Sequence, residues 1–382
     1  MTNFNILIAA GGTGGHIFPS LAIVEELREL NPEGKVFFVG GTRKLEKALL
    51  ESKKLPFFAI RARGWNRSLN INLLKAFTTN SIGIWQALAV ILKTHPDALL
   101  CMGSYPSLLT AFWARVLGIP IFVHEQNALP GMANRVIGKW AKRIFVSVPE
   151  SKSYFPKEKV IVTGNPLRKD LLLWRNRKVE AREKLALEPK NPTILVMGGS
   201  LGAEIINLTL WKILDELIDK SFQIIHLTGN KDFTPACEIT SSKHYKPIPF
   251  SDSPGMLYAA ADLAICRSGA STVFELLWFG IPSILVPLKE AAENHQYYNA
   301  LWLQKKQKVE IIQEEELTPC SLKEAIENLY QSSKGSKIQY QETQDEDTTN
   351  LSLEKAARRI AETIVEDLKG GKSFERTDKC FY

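Results

Sequence analysis

The sequence predicts an α/β protein of two doubly wound domains facing a cleft, and three observations carry that prediction. Short apolar runs recur along the chain, each followed by a Gly-containing turn and then by apolar residues at helical spacing. The pattern also restarts. Asn5-Ile-Leu-Ile-Ala-Ala10 enters Gly11-Gly-Thr-Gly-Gly-His16, and Thr193-Ile-Leu-Val-Met197 enters Gly198-Gly-Ser-Leu-Gly-Ala203, as two similar Rossmann-like domains would. Third, 382 residues, 45% of them hydrophobic and 23% charged, suffice for two domains that each bury a core.

The net charge of +7 is unevenly placed. Residues 1–166 carry 20 Lys and Arg against 10 Asp and Glu, whereas the remainder carries 28 against 31. A basic first half suits an anionic partner for that half, whether nucleic acid, anionic lipid or a pyrophosphate, and equally suits a solvating surface with no partner. The five cysteines are scattered without a C-x-x-C pair, as expected of packing residues in a reducing compartment. A short polar lead running straight into a strand gives no expectation of a signal peptide.

Taken in order, the first strand ends in the Gly run, and Pro19 is expected to open a helix with Ile23, Leu27 and Leu30 on one face. This is not the dinucleotide fingerprint, because a G-x-G-x-x-G frame begun at Gly12 puts Ile17 at the last glycine. The run allows close approach of a phosphate or oxyanion, and His16 beside it is a candidate base with an ordinary pKa near neutrality. Lys35–Gly40 reads as the second strand, and Gly41–Glu46 as the entry to the next helix.

Arg61, Arg63, Arg67 and Lys75 precede the apolar run Ile82–Leu92, which is too short and interrupted to span a bilayer. With Leu74, Phe77 and Trp85 beside those cations, the helix suits either a membrane surface or burial on a sheet. Residues 105–123 are apolar over a spanning length, but Pro106, Arg115, Gly118 and Pro120 break them into turn, helix and strand. Met102-Gly-Ser-Tyr105 and His124-Glu-Gln-Asn127, with Pro130-Gly131 leading to Asn134, are further turns after strands. Three turns are thus expected to converge on one crevice, carrying His16, Tyr105, Glu125, Asn127 and Asn134.

Val160–Thr163 then gives Gly164-Asn-Pro-Leu-Arg168 and a charged helix to about Leu187, read as the crossover between domains. A helix Asn207–Ile218, a strand Gln223–Leu227 and a segment ending at Phe250-Ser251 follow the second Gly run. The most informative stretch is Asp262–Asn299. Its strand ends in Arg267-Ser-Gly-Ala-Ser-Thr272, an apolar helix follows, and Gly280-Ile-Pro282 leads through another strand to Glu293-Asn-His-Gln296. A helix N-terminus of this kind is an anion site. Glu275 in its first turns suits vicinal hydroxyls such as a ribose's, and also fits a capping box with Ser271 or Thr272. Leu317–Gln331 reads as a helix, 332–350 as a polar surface loop, Leu353–Leu368 as an amphipathic helix, and 370–382 as a tail.

These motifs together resemble the MurG family of two-domain, GT-B-type glycosyltransferases, over residues 1–330. The resemblance implies a first domain, 1–164, facing a lipid-linked acceptor and the membrane. It implies a second, 165–350, binding UDP-N-acetylglucosamine, with helix 351–369 packing back on the first. The family's donor contacts fall on Thr13, Gly14, Gly15, Asn127, Arg168, Ser200, Ser251, Ala270, Ser271, Thr272, Val273, Phe274, Glu275 and Gln296. Arg168 and Ser200 would serve the pyrophosphate, Glu275 the ribose, Gln296 the sugar, and Ser251 would lie near uracil. Tyr105, His124, Asn134, Asn207 and Arg267 match other positions associated with activity.

The implied reaction is inverting transfer of N-acetylglucosamine to the 4-hydroxyl of the muramoyl-pentapeptide of lipid I, giving lipid II. His16 is the first choice of base and Glu125 the second. No Asp-x-Asp stands at the donor turns, so no metal or other cofactor is required. The expected location is peripheral, on the cytoplasmic face of the bacterial inner membrane, with its anionic surface and other cell-wall synthesis proteins as partners and no nucleic acid. Two positions depart from the family: Ser104 stands where glycine is frequent, and Leu201 where glutamine is. The alternatives are a transferase of the same fold acting on another lipid such as diacylglycerol, an epimerase, and a non-catalytic sugar-nucleotide-binding protein at the membrane.

Overall fold

The computed structural model describes residues 3–11, 14–42, 44–64, 71–199, 202–251, 253–333 and 353–378, without the side chains of 44, 45, 71–77 and 371–378. Most of the loop expected at 332–350 therefore lies outside the described residues. The chain forms two compact units, Met1–Pro166 with Gln344–Tyr382, and Leu167–Thr343.

The first unit holds, among the described residues, a seven-stranded parallel sheet in the order β3-β2-β1-β4-β5-β6-β7. Its strands are β1 (Ile6–Ala9), β2 (Val36–Gly40), β3 (Phe57–Ala59), β4 (Ala98–Cys101), β5 (Ile121–Glu125), β6 (Arg143–Val146) and β7 (Val160–Val162). A parallel sheet needs crossover helices on both faces, so its strands are apolar throughout rather than alternating. The period-two geometry then divides β1 between two cores. Ile6 and Ile8 pack with Ile23 and Leu27 of helix Gly14–Leu30 and with Ile360 and Ile364 of the last helix. Leu7 and Ala9 pack on the other face with Ala87, Ile91, Ala111 and Ala114.

The second unit repeats the plan with six parallel strands ordered β10-β9-β8-β11-β12-β13. These are β8 (Thr193–Met197), β9 (Gln223–Leu227), β10 (Tyr245–Ile248), β11 (Leu263–Cys266), β12 (Ser283–Leu285) and β13 (Val309–Ile311). One core joins Ile194, Val196, Ile224 and Ile265 to Ile206, Leu210, Leu322 and Ile326. In each sheet the strand order reverses once, between β1 and β4 and between β8 and β11, and the loops beyond those strand ends are where doubly wound sheets take ligands.

Four elements differ from the sequence expectation. The first helix begins at Gly14, not Pro19, so Pro19 lies inside it and the ladder omits the one bond its nitrogen would donate. The crossover helix is two short pieces, Lys169–Trp174 and Lys178–Lys184, separated at Asn176, whose φ is +64°. The helix read as Asn207–Ile218 is likewise two, Glu204–Trp211 and Leu214–Asp219. The last helix, Ala356–Asp378, runs on through residues read as a tail. Arg359 donates to the Val162 carbonyl, and Arg143 pairs with Asp367, tying this helix to the first unit's sheet.

Candidate functional site

In the first unit the strand-order reversal brings the loop after β1 beside those after β4 and β5. Gly14, Gly15 and His16 form the first turn of their helix, where a glycine lets a ligand approach the backbone. His16 Nδ1 lies 3.0 Å from Gln126 Oε1. Gln126 Nε2 lies 2.8 Å from His124 Nδ1 and 3.1 Å from the His124 carbonyl. Beyond it, His124 Nε2 meets Ser147 Oγ at 3.3 Å, and Ser147 meets Asn165 Oδ1 at 3.4 Å. His124 is wholly buried, and loss of hydration lowers its pKa to about 3, so it is neutral.

Glu125 is also buried, and both carboxylate oxygens are fully engaged. Oε1 accepts from the Asn127 amide at 2.9 Å and from Asn127 Nδ2 at 3.0 Å. Oε2 accepts from the Gly131 amide at 3.1 Å and from Asn134 Nδ2 at 2.9 Å. Burial raises its pKa, and these four donors oppose the rise. The geometry thus makes Glu125 the peg that holds the 126–134 loop rather than a base reaching outward. Asn134 packs so closely on Gly103 (φ +88°) that an added Cβ would sit 2.8 Å from its Nδ2. Ser104, next along, is the N-cap of helix Tyr105–Val116, its Oγ accepting from the Ser107 amide at 3.3 Å. Tyr105, 40% exposed, opens that helix.

The second unit places most of the remaining candidates around β8 and β11. Helix Ala270–Phe279 has Gly269 as N-cap, and no side chain caps it, so the capping-box reading of Ser271, Thr272 and Glu275 is not realised. Ala270, Ser271 and Thr272 make its first turn. Val273 and Phe274 were expected beside the donor, but their side chains turn into the core, Phe274 packing 4.7 Å from the ring of Trp302. Glu275 accepts from Tyr258 Oη at 2.6 Å and pairs with Arg168 at 3.1 Å. Burial, and then the Glu275 charge, hold the Tyr258 phenol well above its ordinary pKa, so it remains a donor. Arg168 also lies 3.9 Å from Asp170, whose other oxygen accepts from the Gly255 amide.

Arg267 pairs with Glu314 and donates to the Val286 and Pro287 carbonyls, bracing the strand ends. Gln296 Oε1 accepts from the Leu288 amide at 3.0 Å, and Ser251 Oγ from the Ser253 amide at 3.3 Å. Asn207 is wholly buried. Its Nδ2 donates to the Thr228 carbonyl and to Asp232, and its Oδ1 meets His226 Nε2 at 2.9 Å. His226 meets Tyr245 Oη at 2.8 Å, which accepts from Trp211 Nε1. This network seats Gly202 (φ +81°) against the Thr228 carbonyl, where an added Cβ would be 2.3 Å away. Thr13, Ser200 and Leu201 lie outside the described residues.

Gln126, Ser147, Asn165, Tyr258, His226 and Tyr245 were not singled out in the sequence. Gln126 and Asn165 lie inside the motifs His124-Glu-Gln-Asn127 and Gly164-Asn-Pro-Leu-Arg168 but were given no role there, and the other four lie outside any quoted motif; each acts through a side-chain contact between residues far apart in the chain. Among the described residues no group of three or more His, Cys, Asp and Glu is gathered as metal ligands would be. Away from the loops, Trp85 is 64% exposed on helix Ile71–Thr94, its ring centre 5.6 Å from that of Trp113 and tilted by 45°, with Phe112 edge-on to Trp113. Leu74 and Phe77 belong to the same helix, but their side chains lie outside the description. No helix among the described residues is long and apolar enough to cross a membrane.

Comparison with known proteins matches both units. Residues 6–146 match the glycosyltransferase family 28 N-terminal domain, and 193–364 the family 28 C-terminal domain. The UDP-N-acetylglucosamine–N-acetylmuramyl-(pentapeptide) pyrophosphoryl-undecaprenol N-acetylglucosamine transferase of Caldanaerobacter subterraneus is 37% identical over 333 residues, 85% of this chain and 90% of that protein. The Bacillus subtilis protein of the same name is 31% identical over 368 residues, 95% of this chain and 99% of its own. The crystal structure of Acinetobacter baumannii MurG superposes with a TM-score of 0.70 at 25% identity, covering 96% of this chain and all of that one.

Proposed function

The chain belongs to glycosyltransferase family 28, and from that premise we propose that it transfers N-acetylglucosamine from UDP-N-acetylglucosamine to the muramoyl 4-hydroxyl of lipid I. What carries the reading is that the likeness to transferases of this name runs through both units, at 85–95% of the chain.

In the reaction so read, a nitrogen of His16 takes the proton of the 4-hydroxyl. The oxygen's electron pair forms the new bond at the anomeric carbon, and the bond to the pyrophosphate oxygen breaks, its electrons leaving with UDP. Attack opposite the leaving group inverts the centre. The second unit supplies preorganised donors for the developing negative charge: the first-turn amides of helix Ala270–Phe279 and the Arg168 guanidinium. Glu275, steadied by Tyr258, is the proposed acceptor for ribose hydroxyls, and Gln296 and Ser251 are assigned to sugar and uracil. Leaving-group stabilisation by these groups needs no metal. The exposed aromatic face around Trp85 and Phe112, with Arg61, Arg63 and Arg115 nearby in the chain, is assigned to an anionic membrane surface on the cytoplasmic side.

The test is UDP release measured with EDTA present, offering a short-chain lipid I analogue, diacylglycerol or no acceptor. Release that depends on the lipid I analogue and survives EDTA is expected. Release driven by diacylglycerol would replace the acceptor, and release abolished by EDTA would replace the metal-free mechanism.

A further inference from the structure

Gln126 is 1% exposed on the loop after β5, and its amide fits its surroundings in one orientation only. The atom 3.1 Å from the His124 carbonyl must be the NH2, because a carbonyl oxygen only accepts. Turned over, the amide would set its oxygen against the His124 carbonyl oxygen, two acceptors facing each other in a buried site. The correct orientation presents Oε1 to His16 Nδ1 at 3.0 Å. An amide oxygen only accepts, so His16 Nδ1 carries a hydrogen, and the lone pair of the neutral ring lies on Nε2. On the other side His124 Nδ1 accepts from Gln126, so its hydrogen is on Nε2, shared between Ser147 and the Gly164 carbonyl, and the Ser147 hydroxyl turns to Asn165. The chain of bonds therefore runs one way, from His16 to Asn165, and a buried neutral His124 suits its place in it.

We propose that Gln126 is a positioning residue that locks His16 in the Nδ1–H tautomer, so that Nε2 is the nitrogen that removes the acceptor's hydroxyl proton. Free neutral imidazole of a histidine side chain favours the opposite tautomer, so the lock does chemical work. After transfer His16 is an imidazolium still donating through Nδ1 to the same oxygen. The proposal rests on His16 being the base.

Nitrogen-15 NMR of the full chain labelled in histidine tests it, with His16 signals identified by their loss in His16→Gln, alongside kcat and KM for the transfer. The wild type is expected to show a pyrrole-type signal from His16 Nδ1 and a pyridine-type signal from Nε2. Gln126→Leu should release the tautomer and lower kcat on the order of 10–100-fold, a large part of what a base contributes, with KM for the sugar nucleotide little changed. Gln126→Glu still accepts from Nδ1 and should keep the tautomer and more of kcat. A wild-type Nε2–H tautomer, or a Gln126→Leu variant with normal tautomer and kcat, overturns the proposal. Should Gln126→Leu not fold, the wild-type spectrum and Gln126→Glu still decide. If His16→Ala loses kcat and Gln126→Leu does not, the proposal fails alone. If His16→Ala keeps kcat, the base assignment fails and the proposal falls with it.

Discussion

His16 and Glu125 sit on neighbouring loops of one unit, and burial divides their roles. Glu125 receives four hydrogen bonds, so offering an oxygen to a substrate hydroxyl would orphan a buried donor. His16 is only part-buried. Glu125→Ala is therefore expected to lower folded stability by at least about 1–3 kcal/mol, read as a lower denaturation midpoint, because Asn134 and the 127–131 amides lose their acceptor. His16→Ala should leave that midpoint in place and lower kcat by roughly 10²–10⁴-fold. An exchange of these two phenotypes would reverse the assignment. In the second unit Arg168 pairs with Glu275 at 3.1 Å, so the two groups proposed above for pyrophosphate and ribose balance each other's charge.

At the scale of the element, the loops are held by caps and close packing. Ser104 caps helix Tyr105–Val116. Glycine is nearly as good an N-cap as serine and alanine is not. Ser104→Gly should thus cost only a few tenths of a kcal/mol and Ser104→Ala about 1, measured as a shift in urea midpoint. Equal losses would mean the cap bond at 3.3 Å is idle. The strands and their turns were legible in the sequence, because buried parallel strands are apolar runs and the turns are rich in glycine. Helix ends were less so. Pro19 is tolerated inside a helix because only one ladder bond is omitted, and the break at Asn176 falls on a residue type that takes positive φ more readily than most, whereas the one after Trp211 has no glycine or proline to mark it. Of the candidate site, the glycine-rich turn before His16 and the helix start at Ala270–Glu275 were legible, because a motif marks each. The site was not legible where two distant side chains meet: Gln126 is 110 residues from His16, and Tyr258 is 17 from Glu275.

Across the whole molecule, each unit buries one neutral histidine, His124 and His226, with pKa values lowered to about 3 by loss of hydration. The unfolded chain takes up these protons near pH 6.5 and the folded chain does not. Stability is therefore fully present above about pH 6.5 and falls toward pH 3, each histidine adding a slope of about 1.4 kcal/mol per pH unit. Urea midpoints that fall between pH 7 and pH 5 are expected; a flat profile would contradict neutral burial. The exposed Trp85–Phe112 face and the basic excess of residues 1–166 lead us to expect co-sedimentation with anionic vesicles, weakened by Trp85→Ala and by salt. Binding to zwitterionic vesicles with equal strength would remove the electrostatic part of that account.

The most direct measurement is the structure of the product formed from labelled UDP-N-acetylglucosamine and a short-chain lipid I analogue, by wild type and His16→Ala. The account predicts a β-1,4-linked disaccharide with one UDP released per sugar moved, and on the order of 10²-fold or more loss of turnover in the variant. An α linkage, or equal turnover by the variant, would contradict it.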